Sequence, residues 1–238
     1  MAGRSKDTDI PALLRKVPYF AALEPAALRA LASKARLRSY RRGETILWEG
    51  EPCHGLCLVL RGRVKVFKRS AGGREQVLLI IGLGRSFNDV PVFDGGANPG
   101  SVAALDTSTI ALLPKAEILR LVEGDPKVAM AVIRMLAARL RGFTLAVEDL
   151  ALRSVTARGA KVLMESAGGR AALIETPAES GVRLTQSQLA AMTGSVREVV
   201  QRALKTLEQD GAIKLARARI TVLDAAALKR WADESGAA

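Results

Sequence analysis

Residues 185–211, TQSQLAAMTGSVREVVQRALKTLEQDG, decide how the rest of the chain is read. Two short helices fit around a glycine. Thr185 with Gln188 forms a Thr-x-x-Gln capping box, and Leu189, Ala190 and Met192 give the first helix its apolar face. Gly194 takes the turn at little steric cost. Ser195 with Glu198 forms a second capping box and opens the second helix. There Val196, Val199, Val200, Ala203, Leu204 and Leu207 recur at helical spacing and are expected to face a core. Arg197, Glu198, Gln201, Arg202 and Lys205 fall on the opposite side, and Asp210-Gly211 closes the helix. This is the layout of a helix-turn-helix whose second helix enters a DNA major groove. Arginine there can make two hydrogen bonds to guanine, and glutamate can accept from cytosine N4. Spacing alone also fits an ordinary amphipathic pair with a solvated charged face.

Composition narrows the class. The chain has 238 residues, enough for one large or two modest domains. No run approaches the roughly 18 apolar residues of a membrane helix. The opening MAGRSKDTDIPALLRKV lacks the apolar core of a signal peptide, which points to the cytoplasm. Two cysteines four residues apart make no disulfide framework. Net charge is +12, which favours polyanion partners. From Ser154 onward there are 12 basic and 9 acidic residues, so residues 1–153 carry +9 of that charge. The run Lys34, Arg36, Arg38, Arg41 and Arg42 reads as a solvated face or as a contact to flanking DNA.

Working outward, the chain divides into residues 1–126, 127–153 and 154–238. After a helical segment at about 11–36, residues 39–113 read as short strands broken by glycine turns. GLCLVLRGRVKVFKR is expected to be a hairpin about Arg61-Gly62-Arg63. SVAALDTSTIALLP is expected to be another, with Asp106-Thr107 near its turn. Many short strands at regular spacing suggest a small antiparallel barrel or jelly roll. Then the period changes. Ile133, Leu136, Leu140, Phe143, Val147 and Leu150 are spaced 3, 4, 3, 4, 3, the a/d seam of a parallel helix dimer. Packing of that helix on its own barrel is the other reading. Gly142 within it lowers helix stability, and gives room for close helix approach or for a ligand. A hinge is expected around Leu152–Thr156. In the last part SVTARGAKVLMESA is a helix, AALIETPAESGVRLT a strand–turn–strand, IKLARARITVL a wing and DAAALKRWADE a closing helix. The class is α+β, ending in a winged helix-turn-helix.

In this order the chain resembles the cyclic-AMP receptor protein / fumarate–nitrate regulator superfamily of bacterial transcription factors. The likeness covers about residues 15–225 and is carried best by GLCLVLRGRVKVFK, SFNDVPVFDGG and LTQSQLAAMTGSVREVVQRALKTLEQDGAI. The resemblance implies a homodimer that binds double-stranded DNA, works with RNA polymerase and answers to a small-molecule effector. The family's Arg-Glu-x-x-x-Arg falls on Arg197, Glu198 and Arg202, which implies a TGTGA-like palindrome. Gln201, Ser195, Thr185, Gln186 and Ser187 complete the residues assigned to DNA, with Val196 and Gln201 where members vary.

The effector site is where the chain departs from its family. Nucleotide-binding members carry Gly-Glu-Leu, whose glutamate takes a ribose hydroxyl, and an Arg-Ser pair whose arginine meets the cyclic phosphate. Here the first element is Asn88-Asp89-Val90 and the second Gly100-Ser101, so the arginine is absent. A buried phosphate needs a charged partner or several backbone donors, so an effector other than cyclic AMP is expected. Phe143 and Thr144 fall where the long helix would line that pocket, or pack in the seam and in solvent.

Cys53, His54 and Cys57 hold the chain's one histidine and both cysteines. They are candidates for haem ligation or thiol-based redox sensing, as in gas-sensing relatives, while buried structural cysteine is the commoner role. No phosphate loop, Ser/His/Asp set or clustered catalytic carboxylates appear, so an enzyme is not expected. A regulatory subunit that does not bind DNA is the reading from a different class.

Overall fold

The computed structural model describes residues 9–168, 174–175, 186–216 and 219–234. The chain opens with α1 (Ile10–Arg15), a 3-10 turn at Pro18–Phe20 and α2 (Pro25–Ser33). Strands β1 (Arg36–Tyr40), β2 (Thr45–Leu47), β3 (Gly55–Arg61), β4 (Val64–Arg69), β5 (Glu75–Ile81) and β6 (Ser86–Phe87) follow. Then come α3 (Asp89–Asp94), β7 (Ser101–Ala104), β8 (Ser108–Pro114), α4 (Lys115–Gly124) and the long α5 (Pro126–Leu152). The remainder holds α6 (Val155–Gly168), β9 (Ile174–Glu175), α7 (Gln186–Thr193), α8 (Arg197–Gln209), β10 (Ile213–Ala216), β11 (Arg219–Val222) and α9 (Ala225–Asp233). Two compact units result. One joins residues up to Val66 with Ile81–Arg139, the other Phe67–Ile80 with residues from Leu140 onward.

The helical segment expected at 11–36 is broken. Asp9 caps α1 by accepting from the Ala12 amide at 3.0 Å. Pro18 and Pro25 then each restart the chain, because proline lacks the amide that would continue a helix. Strand β1 has begun by Arg36.

Neither expected hairpin forms. One sheet has the order β1-β8-β3-β6, and the other runs β2-β7-β4-β5 with β9 on the outer edge of β5. β3 pairs with β8 along one edge and with β6 along the other, leaving no edge for β4. Arg61-Gly62-Arg63 is therefore a corner between sheets, and so is Leu105–Thr107 between β7 and β8. The corners brace each other. Leu105 N donates to the Arg63 carbonyl at 2.8 Å, Ser108 Oγ donates to the same oxygen at 3.1 Å, and Arg63 Nε meets Asp106 Oδ2 at 2.7 Å. Within these two sheets the neighbours in sequence that pair are β4 and β5, across a turn closed by Ser70 N donating to the Arg74 carbonyl at 2.9 Å.

The first unit's core gathers Leu14, Phe20 and Leu28 from the N-terminal helices with Leu56, Leu58 and Leu60 of β3. α5 joins this core at its start. Asp125 accepts from the Lys127 amide at 2.8 Å, and Pro126 needs no donor of its own. Val128 and Val132 are buried in the core, and Met135 and Leu136 pack against it.

In the second unit α6 packs on α9, α8 and α7. α9 is capped by Asp224, which accepts from the Ala226 and Ala227 amides at 2.8 and 3.0 Å. Those amides hold its carboxyl below the usual aspartate range. β10 and β11 form an antiparallel wing, with Ile213 opposite Val222. Of the expected strand–turn–strand at 171–185 only Ile174–Glu175 is described, and the rest lies outside the described residues.

The expected hinge is a two-residue break between α5 and α6, and side chains fill it. Ser154 Oγ accepts from the Ala157 amide at 3.1 Å. Arg158 donates to the carbonyls of Arg153 at 2.7 Å, Thr193 at 2.8 Å and Leu150 at 3.3 Å. Asp149 meets Arg153 at 2.8 Å and also pairs with Lys161, and Arg153 reaches the Ala232 carbonyl.

Candidate nucleic-acid interface and sensor site

The turn between α7 and α8 is built on Gly194, at φ +66°. A Cβ there would stand 2.8 Å from Leu150 Cδ2 and 2.9 Å from Gln76 Oε1, both ends of flexible side chains that can swing aside, so it is the backbone angle that calls for glycine. Thr193 Oγ1 donates back to the Leu189 carbonyl at 2.9 Å. Ser195 N donates to the Ala190 carbonyl at 3.0 Å and so closes α7. The second helix consequently starts one residue later than its sequence suggests. Val196 is the N-cap, with no side-chain cap bond, and it is exposed rather than in the core. The Ser195–Glu198 capping box is replaced by this arrangement.

From Arg197 the two faces of α8 separate. Val200, Ala203, Leu204 and Leu207 are buried. Arg197, Glu198, Gln201, Arg202 and Lys205 are exposed along the other side. Gln186 is exposed at the start of α7, and Ser195 is half-buried. Thr185 and the Ser187 side chain lie outside the described residues. Five side chains able to read base edges or pair with phosphate thus share one solvent face of α8, beside a wing and behind a glycine turn.

α5 carries a second apolar face away from the core. Ile133, Leu140, Phe143, Val147 and Leu150 are exposed, Leu140 by 68% and Val147 by 65%, whereas Leu136 is half-buried. Among the described residues most of this stripe is left facing solvent, which marks it as a candidate interaction surface. Gly142 lies among these residues, and a Cβ there would meet nothing within 4 Å. Gly142→Ala is expected to stabilise α5 by about 1 kcal/mol. Thermal melting checks this, and a simultaneous loss of self-association would show that close helix approach needs the glycine.

The cassette residues are pinned by their own chain. Asn88 has φ +68°, and its Nδ2 donates to the Gly55 carbonyl at 3.2 Å and to Cys53 Sγ at 3.4 Å. Asp89 is fully enclosed. Its Oδ1 accepts from Tyr19 Oη at 2.5 Å and Ser86 Oγ at 3.1 Å, and its Oδ2 meets Arg139 Nη1 at 2.5 Å. Arg139 Nη2 also donates to the Ser86 carbonyl at 3.3 Å. Burial beside this carboxylate pushes the Tyr19 hydroxyl well above the usual tyrosine range, so it stays a donor. Val90 is exposed, Gly100 is buried, and Ser101 Oγ accepts from the Glu49 amide at 3.1 Å. Phe143 and Thr144 are exposed on the part of α5 that belongs to the second unit, where Thr144 Oγ1 donates to the Leu140 carbonyl at 3.1 Å.

Sequence reasoning missed Tyr19 and Arg139. A signal for Arg139 exists, because it continues the stripe Val128, Val132 and Met135 at helical spacing. An arginine in a core-facing stripe requires a buried carboxylate. The cysteines read differently from a reactive pair. Cys57 is buried in β3 and burial pushes its thiol far up; Cys53 is raised by the same cause, and His54 is exposed. Protonated thiols are poor nucleophiles and ligands. Among the described residues no group of three His, Cys, Asp or Glu side chains could hold a metal ion.

Comparison with known proteins agrees with this architecture. The family model of the cyclic nucleotide-binding domain matches residues 37–125, and that of the Crp-like helix-turn-helix domain matches residues 157–231. A CRP-like cAMP-activated global transcriptional regulator of Mycobacterium tuberculosis is 28% identical over 227 residues, 92% of this chain and 98% of its own. The cyclic AMP receptor protein of Thermus thermophilus is 28% identical over 215 residues, 90% of this chain and 96% of its own. A solved structure of a CRP/FNR-family transcriptional regulator from Thermus thermophilus is 26% identical with a TM-score of 0.66, over 84% of this chain and 100% of its own. A cyclic nucleotide-binding domain followed by a Crp-like helix-turn-helix domain, with relatives aligned over 92% of the chain, makes it a member of the Crp/Fnr family of transcriptional regulators.

Proposed function

We propose that the chain is a homodimeric, sequence-specific DNA-binding regulator that reads a TGTGA-like palindrome. The observation that carries this is the exposed row Arg197, Glu198, Gln201 and Arg202 over a buried face of α8. Arg197 and Arg202 contact guanines, Glu198 accepts from a cytosine, and Gln201 tunes the preferred bases. Ser195, Thr185, Gln186 and Ser187 contact the backbone beside them. Ile133, Leu136, Leu140, Phe143, Val147 and Leu150 form the dimer seam, supported by the exposure of all but Leu136, which packs against the core. Two-fold symmetry then sets the half-sites about 34–36 Å apart. RNA polymerase is the partner expected from the family.

A β-roll effector other than cyclic AMP sets the activity. Relatives are described as cAMP-activated, but here the phosphate-pairing arginine is replaced by Gly100, and the cassette carboxylate of Asp89 already has three partners. Asn88, Val90, Gly100 and Ser101 are the residues of the first unit that we assign to the effector; Phe143 and Thr144, assigned with them from the sequence, belong to the second unit. A signal acts by binding one arrangement of the sensor better than the other.

A gel shift on a TGTGA-type palindrome tests the reading. Arg197→Ala and Arg202→Ala are each expected to weaken specific binding by about 1–3 kcal/mol and to relax base preference. Parental affinity in both variants, or no specific shift by the parent, would favour a regulatory subunit that works without DNA.

A further inference from the structure

We propose that the tip of the β4–β5 hairpin is a second DNA contact, one that grips the sugar–phosphate backbone beside the groove that α8 enters. The inference rests on the DNA-reading function proposed above and adds a contact site outside the helix-turn-helix.

The charge of the chain is unevenly placed for a DNA-binding protein. Neutralising phosphates supplies much of the affinity of such a protein, and backbone contacts hold the register in which bases are read. Residues from Ser154 onward carry a net charge of only +3, whereas residues 1–153 carry +9. Cations from outside the C-terminal part can serve DNA only where the fold brings them to the reading helix.

The β4–β5 hairpin meets that condition. Its outer part, Phe67–Ile80, belongs to the same compact unit as α7, α8 and the wing. Two ties hold it there. Gln76 of β5 lies against the α7–α8 turn, with its Oε1 2.9 Å from where a Cβ on Gly194 would stand. β9, from the C-terminal part, adds to the outer edge of β5. Arg74 stands two residues before Gln76, about 7 Å along a strand, and Arg197 three residues after Gly194. The hairpin tip and the first base-reading arginine therefore lead away from one shared contact.

The tip itself suits a polyanion. Lys68, Arg69 and Arg74 are exposed, against the single carboxylate of Glu75. Arg69 Nη2 meets Glu75 Oε1 at 2.6 Å, but the arginine is half-exposed, and such a surface pair opens to a phosphate at little cost. The turn keeps its own shape. Arg74 N donates to Ser70 Oγ at 3.1 Å, and Gly73 N donates to the Ser70 carbonyl at 2.9 Å. Between the cations stand Ala71, Gly72 and Gly73, all exposed and too small to hold a DNA strand at a distance. An acidic protein would attract the same cations. The tie to the α7–α8 turn favours DNA, because a partner at this tip stands beside whatever α8 reads.

The test titrates the full-length protein with a TGTGA-type palindrome and with an unrelated duplex of equal length, between about 50 and 200 mM salt. Each phosphate contact steepens the fall of log affinity with log salt by about 0.9. The triple variant Lys68→Gln, Arg69→Gln, Arg74→Gln is expected to flatten that slope by about 2–3 and to weaken both duplexes alike, by about tenfold. Arg74→Gln alone should flatten it by about 1, and Arg74→Lys, which keeps the charge, should retain the parental slope. Arg15→Gln, Lys16→Gln, Arg29→Gln removes the same charge from exposed positions of the other unit and should change nothing. A parental slope in the tip variant would overturn the contact and leave the tip to an acidic protein. A loss confined to the palindrome, or an equal loss in the control variant, would overturn it too. If the parent binds both duplexes equally, base reading fails, and the salt slope still decides the tip.

Discussion

Glutamate at both Leu140 and Val147 is expected to dissociate the dimer and lower affinity for the full palindrome by about 10²–10⁴-fold, the advantage that linking two reading heads confers. Both side chains are about two-thirds exposed on α5, so the substitutions fit the isolated chain without clash. In a seam of two parallel helices each position meets its own copy, and four carboxylates would be buried together. One half-site bound by one α8 retains only its own contacts. Sedimentation with a gel shift on full and half palindromes checks this. A double variant that stays dimeric would place the interface elsewhere, and a monomer with undiminished affinity would break the link between pairing and reading.

Gly55→Ala is expected to have the largest effect on stability, about 3 kcal/mol or more. An added Cβ would lie 2.0 Å from the Leu113 carbonyl oxygen and 2.9 Å from its carbon. Both are backbone atoms of β8, and β8 is held between β1 and β3 in the same sheet. No rotamer relieves such a clash, so the Gly55–Pro114 end of the ladder must open. Chemical denaturation measures the loss. Gly43→Ala is the control, since nothing stands within 4 Å of its Cβ and only its φ of +83° is strained. Equal stability of the two variants would show that β3 and β8 shift apart freely.

The sequence was most legible where one period acts alone. The buried row Val200, Ala203, Leu204 and Leu207 and its polar opposite follow from 3.6-residue spacing. Gly194 was legible as a turn, though not the two side chains that crowd it. Strand pairing was not legible. β3 and β4 have the alternation of a hairpin, and the same alternation serves two strands that part at a corner, because period 2 states which face is inward and not which neighbour is bonded. The position of the α8 start was masked because two residues compete to cap it, and closure of α7 by Ser195 decided it. Asp89 was legible from its place in a motif, but two of its three partners, Tyr19 and Arg139, stand 70 and 50 positions away, beyond any local pattern.

The arginine-filled joint between α5 and α6 bears on operator architecture. Arg158 ties the carbonyls of Leu150 and Arg153 to that of Thr193, and Asp149 holds Arg153 and Lys161. With these bonds in place the last turn of α5 and the α7–α8 turn rotate as one piece. Such a joint passes torque on and absorbs little of it. Each base pair inserted between half-sites turns the second one by roughly a tenth of a helical turn, and a stiff joint cannot follow that rotation. On the proposed palindrome the protein is then expected to measure spacer length as strictly as base sequence, with the DNA, the more pliable partner, taking up what mismatch remains.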